Sequence, residues 1–112
     1  MALKLNRANN AQTASIAASG TTSTAVVLDG YSFGGIIMPA QFTGTALTFT
    51  VCDTQGGTYV GLEDASGTAI SLTVEAAKAY PLPPELFAFP YAKLVSGSTE
   101  GAARSIVVCL KA

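Results

Sequence analysis

Short runs of β-type residues alternate with turn signals along most of this chain, and this spacing constrains the fold more than any other feature. From residue 13 onward, Gly-rich or Asp-containing turns separate the runs about every 8–12 residues, which is typical of a β-sandwich or barrel. The candidate strands cover 13–18, 22–28, 32–38, 46–52, 58–62, 69–74, 91–96 and 104–111. The spacing therefore predicts an all-β fold and leaves a sandwich and a barrel open. Our leading expectation is an antiparallel, jelly-roll-like β-sandwich of about eight short strands.

Two of these runs contain the only two cysteines of the chain, and their alternation predicts where each thiol points. In "ALTFTVC", Cys52 shares one side of the strand with two threonines, opposite three large apolar residues. In "RSIVVCL", Cys109 shares its side with Ser105 and Val107, again opposite three large apolar residues. Both thiols are thus predicted on the more polar face of their strands. A packed thiol, an internal disulfide and a disulfide to another subunit all remain open.

Two local patterns refine the prediction. "PPELFA" can form one helical turn, because Pro84 is suited to the first helical position. Elsewhere no apolar period of 3.6 residues persists over three turns, so longer helices are not predicted.

Gly34 and Gly35 lie inside a predicted strand and indicate a bulge or a close backbone approach. They lack the spacing and the lysine of a phosphate-binding loop.

The chain of 112 residues predicts one domain, preceded by an arm. Residues 1–12 are polar and Asn-rich, and we expect them to form a flexible arm or to lie on a neighbouring protein. The domain then covers 13–112. Charged residues make up only 12% of the chain, about half the usual share, so Thr, Ser, Ala and Gly must cover the surface. Such a surface favours assembly with other protein. The residues of the arm that we expect to contact other subunits are Leu3, Lys4, Leu5 and Arg7.

Several functional classes lack the residues that they require. The chain has no histidine and no G-x-S-x-G motif, which predicts that it is not an enzyme, and no cofactor is expected. Two cysteines cannot complete a zinc site, and Asp53, Glu63 and Asp64 lack the spacing of a calcium loop. The basic residues are scattered and the net charge is -1, so no nucleic-acid partner is predicted.

Membrane and secretory signals are not predicted either. No run approaches the roughly 18 apolar residues of a membrane helix, and the N-terminal segment has no apolar signal region. We therefore expect synthesis in a cytosol, where disulfides are disfavoured.

Aromatic residues offer one weaker candidate for a binding site. Tyr31, Tyr59 and Tyr91 would form a ligand platform, for example for a sugar, if the fold brought them together on one sheet face. The chain has no tryptophan, the usual anchor of such platforms, and several aromatics alternate with apolar residues as core residues do. The core interpretation is therefore favoured over the platform.

A resemblance to a known family covers roughly residues 30–95. The elements that carry it are "IMPA" at 37–40, "FTGTALTFTV" at 42–51, "TYVGLEDASG" at 58–67 and "YPLPPELF" at 80–87. Together they resemble a small β-rich virion structural protein of tailed bacteriophages and prophages. Most of the matching positions are core or turn residues, which report fold more than function.

The resemblance implies a virion structural protein with no catalytic residues to carry over. The expected role is capsid decoration or cement, with a collar, neck or tail accessory, or a glycan- or receptor-binding module on the particle exterior, as alternatives. The implied partners are the major capsid protein or other virion proteins. We expect a homo-oligomer, with a trimer favoured, made in the host cytoplasm and carried on the virion. The resemblance also favours Cys52 and Cys109 as ties between subunits, oxidised after the particle leaves the host.

Overall fold

Nine strands and one 3₁₀ turn make up the regular structure of a computed structural model, which describes residues 9–112 with the exception of the Asn9 side chain. The strands are β1 (Asn9–Ile16), β2 (Val26–Val27), β3 (Phe33–Ile37), β4 (Ala46–Cys52), β5 (Val60–Gly61), β6 (Ser71–Thr73), β7 (Ala79–Pro81), β8 (Tyr91–Ser96) and β9 (Arg104–Lys111). The 3₁₀ turn spans Pro84–Ala88, where the sequence predicts a helical turn. The described residues include no helix that is long and apolar enough to cross a membrane.

The strands form two antiparallel sheets that pack face to face. The first sheet has the order β1-β9-β3-β7, and the second has the order β2-β8-β4-β5, with β6 also paired to β4. The chain changes sheet between β1, β2, β3 and β4, and again between β6, β7, β8 and β9. This path, with the first and last strands paired, is that of a jelly roll. The predicted all-β, jelly-roll-like sandwich is therefore confirmed.

The core lies between the two sheets and follows the predicted alternation. On β4, Leu47, Phe49 and Val51 are buried, and β9 contributes Ile106, Val108 and Leu110 from the opposite sheet. Complete burial of side chains of this size contributes about 1.5–3 kcal/mol each. The residues between them in the sequence face outward, so the sandwich has two outer faces.

Strand β1 begins earlier than the sequence predicts. Residues 9–12, which the sequence prediction assigns to the arm, are the first half of β1, where Asn9 pairs with Lys111. The Gln12 side chain adds a link to the second sheet: its amide nitrogen donates to the Val27 carbonyl at 2.8 Å, and its amide oxygen accepts from the Val27 N–H at 2.9 Å. The other residues of the predicted arm, among them Leu3, Lys4, Leu5 and Arg7, lie outside the described residues.

The paired glycines of β3 mark a close backbone approach, as the sequence predicts. A Cβ atom on Gly34 would lie 2.5 Å from the Cys109 carbonyl oxygen, and one on Gly35 would lie 3.0 Å from the Tyr80 carbonyl oxygen. The register of β3 against β9 runs from Phe33 to Ile37 without interruption, so no bulge is present. Glycine at 34 lets β3 and β9 approach closely in the middle of the first sheet.

Candidate functional site

The two cysteines lie on opposite outer faces of the sandwich. Cys52 ends β4 in the second sheet and is paired with Tyr91 of β8. Its thiol is 3.6 Å from the Asp53 carboxylate, and the turn at 53–57 covers it, so only 8% of the residue is exposed. The outward direction agrees with the alternation, but burial comes from the turn and not from the core. Cys52 is therefore a packed thiol.

Cys109 has a different environment in the first sheet. It lies in β9 between Ala11 of β1 and Gly35 of β3, and its side chain points away from the core. The residue is half-buried, and its neighbours on both sides carry little or no side chain. Its outward direction also agrees with the alternation. Because its neighbours are so small, the thiol can be reached from outside the sheet.

An internal disulfide between the two is excluded by this geometry. A disulfide requires Cα atoms within about 7 Å. Cys52 and Cys109 belong to different sheets, and their side chains point in opposite directions, away from the space between the sheets, so the two thiols cannot meet. The structure accordingly contains Cys52 and Cys109 as free thiols. Of the alternatives that the sequence leaves open, a tie to another subunit remains for Cys109.

The outer face of the first sheet is exposed and mostly apolar around β3, with Lys111 at one end of the neighbouring strand β9. Of the five large hydrophobic residues that are exposed in the described part of the chain, three lie on it: Phe33, Ile37 and Val107, at 44%, 49% and 37% exposure. A depression of about 360 Å³ lies across β3, β7 and β9, with Cys109 in its lining. We call this surface the apolar face; its residues are Ala11, Phe33, Gly35, Ile37, Ala79, Pro81, Val107 and Cys109.

The apolar face is the strongest candidate for a binding surface. Contiguous exposed apolar patches of several hundred Å² on soluble domains mark contacts with other proteins or with ligands. Sequence reasoning placed Cys109 on the polar side of β9, and missed that the neighbouring strands make this side apolar. Only the pairing of β9 with β1 and β3 reveals the patch, and that pairing joins residues distant in the sequence.

The structure brings together two of the three tyrosines predicted as a ligand platform. Tyr59 and Tyr91 lie near Cys52 on the second sheet, and burial, followed by the neighbouring Cys52 and Tyr91 groups, raises the pKa of Tyr59. The Lys93 ammonium lies 4.4 Å from the centroid of the Tyr59 ring and covers one of its faces. Tyr31 instead packs against the core and lines a separate depression beside Phe87 and Phe89.

A buried carboxylate, Glu100, joins three loops at one end of the sandwich. Its oxygens accept hydrogen bonds from the backbone N–H and hydroxyl of Thr43 at 3.0 and 2.8 Å, and from the Gly44 N–H at 3.1 Å. The Arg104 Nε donates at 3.0 Å, and the Glu100 carbonyl accepts from the Ser19 N–H at 2.8 Å. Glu100 is 1% exposed. These contacts make it a structural anchor.

Sequence reasoning did not single out Glu100. The available signal was that Glu100 and Arg104 are the only charged residues between 94 and 110 in a chain that has few charges. Their separation of four residues suggests an exposed pair on a helix. Here both residues belong to a loop and the start of a strand, so the spacing alone could not indicate burial.

Acid is expected to weaken the Glu100 anchor. Burial tends to raise the pKa of Glu100, but the hydrogen bonds from Thr43, Arg104 and Gly44 outweigh it, so the pKa is lowered from its ordinary value. In the unfolded chain this pKa returns to about 4.3. The contribution of Glu100 to stability is therefore complete above that value, and it is lost as the pH falls through the lower pKa of the folded state.

Urea unfolding at a series of pH values, for the wild type and Glu100→Gln, measures this contribution. We expect the stability difference between the two proteins to shrink as the pH falls below about 4. Glu75, whose pKa is lowered by its hydrogen bond and ion pair with Lys78, titrates in both proteins and cancels in the difference. A difference that is independent of pH would show that Glu100 is not ionised in the folded protein.

Comparisons with known proteins show a related fold but do not show a family. No family model matches the chain, and no curated protein matches its sequence. The structure is similar to the crystal structure of the SPBc2 prophage-derived protein YomS, with a TM-score of 0.65 and 10% sequence identity across 100% of both chains. At this identity the likeness shows a shared fold alone.

Proposed function

We propose that this chain is a structural protein of a bacteriophage virion, and specifically a capsid decoration or cement protein that binds the major capsid protein in many copies. The observation that carries the proposal is the apolar face, an exposed patch of three large hydrophobic residues on a domain with few charges. The full-length fold likeness to a prophage-derived protein supports a phage origin.

In this role, stabilisation would come from many weak contacts. Each copy buries an apolar patch against another subunit, and linked contacts raise the overall affinity far above that of a single contact. Leu3, Lys4, Leu5 and Arg7 would add contacts from the N-terminal segment. The proposed assembly is a homo-oligomer that is made in the host cytoplasm and carried on the virion. It includes no catalytic step and no cofactor, nucleic-acid or membrane partner.

A second candidate function is glycan or receptor binding on the particle exterior. The observation in its favour is the pair Tyr59 and Tyr91 on the outer face of the second sheet. A collar, neck or tail location is a variant of the structural role and would use the same apolar face with fewer copies.

Quantitative mass spectrometry of purified virions tests the proposal. We expect the chain to remain with particles through gradient purification and a high-salt wash, because apolar contacts resist salt. A copy number comparable with that of the coat protein would support decoration, whereas a small fixed number would place the chain at the neck or tail. Absence from washed particles would overturn the structural role. A glycan array with the isolated chain tests the second candidate function. That function requires the chain to bind a saccharide and Tyr59→Ala to abolish the binding.

A further inference from the structure

We propose that the apolar face pairs with the same face of a second copy of this chain, and that the two Cys109 thiols at its centre form a symmetric disulfide under oxidising conditions. The inference deepens the proposed homo-oligomer and rests on its claim that copies of the chain assemble. In this pair the apolar face is covered by a second copy, so a coat protein would contact other surfaces of the domain. Its tests use the purified chain in solution, so its failure and a failure of the virion role can be distinguished.

The register of the first sheet places Cys109 in a row of uncharged residues. In antiparallel sheets, directly opposite residues form rows across the strands. The row of Cys109 contains Ala11, Gly35 and Pro81, and the next row contains Thr13, Val107, Ile37 and Ala79. Both rows lack charged residues. A two-fold contact centred on Cys109 therefore places the Cys109 rows of the two copies against each other.

The size of the face predicts a weak contact that benefits from a covalent link. On the outer face β1 and β9 have four rows, β3 has three and β7 has two; with strands about 4.8 Å apart and rows about 6.7 Å apart, the face covers roughly 400 Å² for each copy. A dimer would then bury about 800 Å² in total, which is less than stable specific interfaces bury. The reduced protein should therefore exchange between monomer and dimer, and a disulfide would fix the dimer.

The neighbours of Cys109 permit the close approach that a disulfide requires. Facing sheets are usually about 10 Å apart, yet immunoglobulin domains bridge two facing sheets with a disulfide, so this geometry is attainable. Ala11 and Gly35 flank Cys109 and place little or no side chain between the two backbones. The depression beside Cys109 leaves further room for the second copy.

Charge selects one of two simple arrangements. Lys111 follows Cys109 by two residues and points to the same outer face of β9. A two-fold axis along β9 would place Lys111 of one copy against Lys111 of the other, and such like-charge contacts are unfavourable. An axis across the strands places Lys111 against Val107 of the other copy instead, where its aliphatic stem can pack. In both arrangements Cys109 of one copy faces Cys109 of the other. We propose the second arrangement, with the axis across the strands.

The disulfide forms by exchange with a small-molecule disulfide of the oxidising environment. One Cys109 thiolate attacks that molecule and releases one small thiol, which leaves a mixed disulfide on the protein. The Cys109 thiolate of the second copy attacks this mixed disulfide and releases the other small thiol. The protein disulfide replaces the small-molecule one, so the two electrons and two protons are accounted for.

Oxidation of the purified chain tests the position of the disulfide. Oxidised glutathione is added, and the products are separated on a non-reducing gel. We expect a covalent dimer from the wild type and from Cys52→Ser, and only monomer from Cys109→Ser. A covalent dimer from Cys109→Ser, or no dimer from the wild type, would overturn the proposal.

Two substitutions of one residue test the contact itself. Sedimentation equilibrium of the reduced chain is expected to show a monomer–dimer equilibrium. Val107→Lys should raise the dissociation constant at least about tenfold, because like charges then meet across the contact. Val107→Glu should raise it much less, because the carboxylate faces Lys111. As a control, Val60→Lys changes an exposed residue of the second sheet and should leave the equilibrium unchanged.

The outcomes separate this arrangement from its competitors. If Val107→Lys and Val107→Glu raise the dissociation constant equally, Val107 of one copy faces Val107 of the other, and the proposed axis is overturned. A reduced chain that stays monomeric at every concentration would overturn pairing between copies and leave the apolar face to another partner, such as a coat protein. Circular dichroism of each variant shows whether a loss of dimer comes from unfolding.

Discussion

Replacing Glu100 by alanine is expected to lower the free energy of unfolding by about 3 kcal/mol, a large part of the 5–15 kcal/mol of a typical domain. The substitution leaves the Arg104 guanidinium, whose side chain is 13% exposed, without the carboxylate that it contacts. It also removes the acceptor for the N–H groups of Thr43 and Gly44. Buried donors that lose their acceptor cost about 1–3 kcal/mol each when water cannot replace it.

Urea denaturation followed by circular dichroism measures this loss. The matched control is Glu75→Ala, which removes a carboxylate paired with Lys78 at a position where both side chains are 63% exposed. We expect the control to keep a stability close to that of the wild type, because exposed surface pairs contribute little. A loss below about 1 kcal/mol for Glu100→Ala would show that the three loops at this end hold together without it.

Gly34→Ala is expected to destabilise the protein by about 2–3 kcal/mol, although it adds one methyl group. The new Cβ would lie 2.5 Å from the Cys109 carbonyl oxygen and 2.8 Å from Cδ2 of Leu110. The side chain of Leu110 can rotate, but the carbonyl belongs to the backbone of β9, the strand that joins β1 and β3. The methyl group therefore forces two central strands apart.

Thermal and urea unfolding of Gly34→Ala and Gly61→Ala measure this effect against a control in the same fold. A Cβ on Gly61 would meet no atom within 4 Å, so that variant should stay within about 0.5 kcal/mol of the wild type. Equal stability of the two variants would contradict the close pairing of β3 with β9. If Gly34→Ala does not fold, its failure beside a folded Gly61→Ala still supports the pairing.

The sequence predicted the strands that carry a clear local signal. The alternation in β4 and β9 is complete over seven or more residues, so it gave the direction of Cys52 and Cys109 correctly. Strand β7 was not predicted, because its three residues end in a proline and are too few to show a period. The start of β1 at Asn9 was missed because polar residues there pair with β9, which lies about 100 residues away in the sequence.

The candidate surface depends on contacts that no local pattern contains. Ile37 and Val107 lie 70 residues apart in the sequence and become neighbours only through the register of β3 with β9. The burial of Cys52 likewise comes from a turn that folds over it. The three tyrosines of the predicted platform do not come together, because Tyr31 packs against the core. Patterns within a strand predict which way a side chain points, and pairing between strands decides what surrounds it.

We propose that the apolar face is the assembly surface of a virion protein. A cryo-EM map of the purified particle, with this structure fitted to its density, tests the claim most directly. We expect density for the sandwich in many copies, with Ile37 and Val107 covered by another protein subunit; the proposed pair requires this subunit to be a second copy of the chain. A particle without this density, or one in which the apolar face is open to solvent, would contradict the claim.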